Sequence, residues 1–150
     1  MSVQLRKKAE LFHKAFEDIW IAEFAWRISP NNAVWHCTQA AEKIMKGYLR
    51  CYNREYGYDH NLKDLLDAVN DLVNLPDDIN GYIIDLNRYL GRLRYRHMQS
   101  DPTPEDAKVA ISRTRQIMEE FSKIPDIYEY VAEAKEVHEK ILKSASDSEI

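Results

Sequence analysis

Between its turn-forming residues this chain repeatedly places apolar side chains at three- and four-residue intervals, and it has no run of alternating β-branched residues. That periodicity lets a segment bury a continuous apolar face as an amphipathic helix, not as a strand. Only four glycines and five prolines interrupt the pattern across 150 residues. The expectation is an all-α protein, an up-and-down antiparallel helical bundle of five to six helices.

The stripes can be followed along the chain. Leu5, Ala9, Phe12, Phe16, Ile19 and Trp26 predict a first helix over roughly 3–27, closed by Ser29-Pro30-Asn31-Asn32. A second helix to about Asn53 uses Val34, Cys37, Thr38, Ala41, Ile44, Met45, Tyr48, Leu49 and Tyr52. Asp59-His60-Asn61 offers a cap for a short third helix through Leu62, Leu65, Leu66, Val69 and Val73, which Pro76 ends. Asp77 and Asp78 open a fourth, with Ile79, Ile83, Leu86, Leu90 and Leu93 as its stripe. The fifth start is the clearest: Thr103 as cap, Pro104 at the first helical position, then Glu105 and Asp106 against the positive end of the dipole. A last helix uses Ile127, Tyr130, Val131, Ala134, Val137 and Ile141. One helical domain over 1–143 is expected, with residues from Ser144 onward as a disordered polar tail.

Composition removes several function classes. No apolar window approaches the ~18 residues a bilayer span requires, and no secretory apolar region follows the N-terminal charges, so a cytoplasmic protein is expected. Cys37 and Cys51 fall on one predicted helix, about 21 Å apart, which excludes a disulfide between them. A net charge of -4 argues against a general nucleic-acid coat protein. It leaves room for a small local anion site.

Such a site stands out against the acidic balance. Arg92-Leu93-Arg94-Tyr95-Arg96-His97, with Arg88 upstream, gathers four arginines and a histidine at the end of the fourth helix. Arg88, Arg92 and Arg96 recur every four residues along one helical face, where like charges repel unless an anion compensates them. The helix dipole, with Asp85 or Asp101 as ion-pair partners, is the structural explanation of the same cluster. Functionally, arginine can hold a phosphodiester, and histidine exchanges protons near neutral pH. That pair permits RNA cleavage with the substrate's own 2′-hydroxyl as nucleophile and no metal.

Other chemistry is poorly represented. His13, His36, His60 and His138 form no metal-ligand spacing with each other or with cysteine, so no metal site is expected, and no cofactor. Phosphate-binding glycine loops, nucleophile elbows and dinucleotide fingerprints do not occur. Tyr48, Tyr52 and Tyr56 form an aromatic ladder that could stack on bases or pack as a seam. Glu42 and Lys46 have the spacing of a helical ion pair.

Trp35-His36-Cys37-Thr38-Gln39-Ala40-Ala41-Glu42-Lys43-Ile44-Met45-Lys46-Gly47-Tyr48-Leu49, followed by His60-Asn61-Leu62 and Leu65, resembles the HEPN domain, named for higher eukaryotes and prokaryotes nucleotide-binding. Arg94-Tyr95 and the later acid, proline and Glu105-Asp106-Ala107 are similar to the family's second region. The resemblance spans roughly residues 5 to 121 and leaves the last helix outside. It implies a helical bundle that commonly forms a two-fold homodimer. It further implies a metal-independent endoribonuclease of a toxin or defence type, with Arg92 and His97 catalytic. Beside that pair, Arg88, Arg94, Tyr95 and Arg96 are expected to bind RNA or nucleotide. Arg94-Tyr95 also resembles a branch in which Arg-Tyr-Pro replaces the catalytic motif. That branch implies the alternative: a non-catalytic module that binds a nucleotide or a separately encoded small nucleotidyltransferase partner.

Overall fold

The computed structural model describes residues 3–56, 61–94, 101–125 and 127–148. Six helices make up its regular structure: α1 (Val3–Ala25), α2 (Pro30–Cys51), α3 (Leu62–Leu72), α4 (Asp77–Arg94), α5 (Pro104–Ser122) and α6 (Tyr128–Ser148). No strand occurs among the described residues. The all-α expectation therefore holds, with each helix where its apolar stripe placed it.

α2 is the central element, packing on α1, α3, α4 and α5. Its sequence explains why: Val34, Cys37, Ala41, Ile44, Met45, Tyr48 and Leu49 are all buried. Gly47 is where α1 comes closest, since a Cβ there would lie 2.8 Å from Cε1 of the fully buried Phe12. Alanine at a helical position is normally favoured over glycine by about 1 kcal/mol. Here overpacking against an aromatic ring outweighs that gain. Gly47→Ala is expected to lower stability by about 1–2 kcal/mol, read from the midpoint of urea unfolding.

Polar groups fix where the helices begin. Thr103 and Asp106 form a reciprocal capping box at the start of α5, the Thr103 hydroxyl accepting from the Asp106 backbone and the Asp106 carboxylate from that of Thr103. Asn61 caps α3 by accepting from the Lys63 N–H, while Asp59 and His60 of the expected cap lie outside the described residues. The second orphan donor of α3, the Leu62 N–H, goes to the Asn87 side chain of α4 at 3.0 Å. At the opposite end Asn70 and Asn80 bond to each other and to the backbone of Leu75. Two polar clasps thus set α4 against α3.

The tail departs from its expectation. α6 continues through Ser148, past Ser144, where the sequence reading ended the ordered chain. The segment holds no glycine or proline, and extending an existing helix adds one hydrogen bond per residue without a new nucleation cost. α6 packs on α1 and α5. Phe12 stacks on Tyr130 at 6.2 Å, and His13 meets His138 at 5.8 Å.

Burial and the nearby His13 lower the pKa of His138, while Glu17 and a hydrogen bond with the His13 backbone act in the opposite sense. The unfolded chain therefore binds that proton more tightly than the folded one. Its contribution to stability is complete above about pH 6.5 and is lost as the pH falls below it. Thermal melts from pH 8 to pH 5 are expected to show a decline that is shallower in His138→Gln.

Candidate functional site

α4 carries the candidate site, and its two faces have separate roles. Ile79, Ile83 and Leu86 are buried in the core. Asp85 and Arg88 stand on the opposite side, with Arg88 pairing to Asp85 at 3.3 Å. The same carboxylate receives Arg113 from α5 at 3.0 Å, and Arg113 also lies over the Tyr82 ring at 5.2 Å. One carboxylate thus serves two guanidinium groups, leaving one positive charge in excess. The Arg88 side chain is 69% exposed, so its pair contributes little to stability and leaves its donors accessible.

Beyond Arg88 the helix continues without a break through Arg94, so Arg92 follows one turn further along the same helix. A helix C-terminus favours cations, which suits an arginine-rich last turn. The side chains of Arg92 and Arg94 lie outside the described residues, as do Tyr95, Arg96 and His97. Of the candidate residues, Arg88 is the one whose side chain lies among the described residues. Arg113 joins it from α5, a neighbour that no local spacing could show.

The second region singled out from the sequence is structural. Asp18 on α1, 6% exposed, accepts from Nδ1 of His36 at 2.8 Å and from the Lys43 ammonium, both on α2. Glu42 is buried and pairs with Lys46 at 3.5 Å, the expected helical ion pair. Cys37 is packed in the core, where burial pushes its thiol up to about 12 although Thr114 hydrogen-bonds to it. It is therefore a thiol with no nucleophilic character at neutral pH. Cys51 is also free.

The tyrosine ladder serves packing at its base. Tyr48 is buried against Phe121, edge to face at 5.8 Å, and tilts on Tyr52 at 5.0 Å. Tyr56 accepts a hydrogen bond from Arg50 and lies under the Lys46 ammonium. No group of three or more histidine, cysteine, aspartate or glutamate side chains among the described residues is arranged to hold a metal ion. No helix among them is long and apolar enough to cross a membrane.

With this arrangement in view, the relationship to known proteins becomes specific. The sequence model of the HEPN domain matches residues 5–125. The chain belongs to the HEPN domain family. No curated protein and no solved structure matches it. The HEPN match spans α1 through α5 and ends at the turn before α6. Inside it, the Gln39 to Lys46 segment of the HEPN resemblance holds α1 to α2 through Asp18, Lys43 and the close approach at Gly47. Its role in this HEPN chain is to join α1 to α2 in the bundle on which α4 packs.

Proposed function

We propose that this HEPN protein acts on RNA through the Arg92 to His97 segment, as a homodimeric, metal-independent endoribonuclease of the toxin or defence kind. The observation that supports this reading best is the charge at the end of α4. Asp85 is already shared between Arg88 and Arg113, and the sequence from Arg92 through Arg94 and Arg96 has no acid until Asp101. A phosphodiester backbone supplies the missing negative charge.

In the proposed reaction, His97 takes the proton from the ribose 2′-hydroxyl, whose oxygen then attacks the adjacent phosphorus. The bond from phosphorus to the 5′-oxygen breaks, and that oxygen receives a proton from the conjugate acid or from water. Arg92 holds the non-bridging oxygens and stabilises the charge that grows on them. Arg88, Arg94 and Arg96 grip the flanking phosphates, and Tyr95 stacks on a base. In a two-fold dimer the two copies of the motif share one cleft.

The reaction leaves a 2′,3′-cyclic phosphate and a 5′-hydroxyl. Mass spectrometry of products from an RNA oligonucleotide and its 2′-deoxy counterpart tests it: RNA is expected to be cut with those ends, and DNA to remain intact. Cleaved DNA, or 5′-phosphate ends, would overturn the mechanism. Arg94-Tyr95 favours a second reading, the non-catalytic module that binds a nucleotide or a nucleotidyltransferase partner. That reading expects a stable complex and no cleavage.

A further inference from the structure

Between α1, α5 and α6 lies a cavity of about 590 Å³. That volume is in the range that encloses a small organic molecule and is far too small for a folded partner. Half of its wall is α6, which lies beyond the HEPN match, and α1 and α5 supply the other half.

The lining has a consistent chemistry. Phe16, Ile19, Met118, Val131 and Leu142 supply apolar surface, with Trp20 and Tyr128 as aromatic walls. Four carboxylates, Glu23, Glu119, Glu136 and Glu139, stand against two cations, Arg115 and Lys135, which leaves two negative charges in excess. Arg115 is held by Glu23, and Lys135 stands 4.0 Å from Glu119. Glu136 pairs outward to Lys140 at 3.1 Å, while Glu139 has no ion pair among the described residues. Burial and the nearby His13 favour the neutral form of the His138 ring.

A second observation concerns polar atoms left over. The indole Nε1 of Trp20 and Nδ1 of His138 are both buried without a hydrogen-bond partner, and both residues line the cavity. Buried polar groups are nearly always paired, so the wall formed by α1 and α6 is the part of the cavity least well satisfied by the chain itself.

We infer that this cavity binds an amphiphilic organic amine: an aromatic or aliphatic body against Phe16, Trp20 and Met118, and an ammonium at Glu139. No described residue of α4 lines the cavity, so its occupancy can be tested whether or not the chain cleaves RNA.

The test uses the full ¹⁵N-labelled chain and two probes of the same shape and opposite charge, tyramine and 3-(4-hydroxyphenyl)propionate. Tyramine is expected to shift the Trp20 indole N–H signal saturably, and the propionate to bind at least about tenfold more weakly. Glu139→Gln is expected to weaken tyramine about threefold, and Ala132→Trp, which fills the cavity, to abolish the shift. A Trp20 signal unmoved by millimolar tyramine, or equal binding of the two probes, would overturn the proposal.

Discussion

Replacing Asp18 by alanine is expected to cost about 2–4 kcal/mol of stability. Asp18 is on α1 and is nearly fully buried, and it accepts hydrogen bonds from His36 and Lys43 of α2, 18 and 25 residues away. Removing one member of a buried ionic cluster leaves the others desolvated and unpaired, which typically costs 3–5 kcal/mol. About a quarter of the His36 and Lys43 side chains remains exposed, and water there offsets part of the loss. Urea unfolding followed by circular dichroism reads the change directly. A loss below about 0.5 kcal/mol would mean that the cluster does not bind α1 to α2.

The second large effect is on chemistry. Replacing His97 by alanine is expected to lower RNA cleavage by about 10²- to 10⁴-fold, the usual contribution of a positioned general acid or base. Arg92→Ala is expected to lose affinity as well as rate, because a guanidinium that grips the scissile phosphate acts in both the ground and transition states. The readouts are initial rates at saturating and subsaturating RNA, with far-ultraviolet circular dichroism to show the helices intact. Equal rates for wild type and His97→Ala would remove the histidine from the mechanism.

The architecture could be read from the sequence because helix signals are local. Thr103, Pro104 and Asp106 lie within four residues, and the capping box they announce is the one found at the start of α5. The buried residues of α2 recur at the helical period and need no knowledge of their partners. Contacts between elements carry no such mark. His13 and His138 meet as neighbours on α1 and α6, yet 125 positions separate them in the chain, and only the fold brings the two rings together. Asp18 reads as one more surface carboxylate until α2 delivers His36 and Lys43 to it.

The candidate site divides in the same way. The density of arginine after Arg88 is visible in the sequence as charge against a net charge of -4. That Asp85 is shared with Arg113 of α5, so that Arg88 is only half compensated, depends on the packing of α4 on α5. The reach of α6 to Ser148 was hidden for a different reason: its last turns have lost the apolar stripe, and helix continuation there follows from the absence of a breaker.

The most direct test of the central claim is cleavage of a mixed labelled RNA pool by the purified protein in excess EDTA, with the His97→Ala variant run alongside. Cleavage that survives chelation and disappears in the variant is the result expected of a metal-independent HEPN ribonuclease. An uncut pool with both proteins, or cleavage that EDTA abolishes, would contradict it.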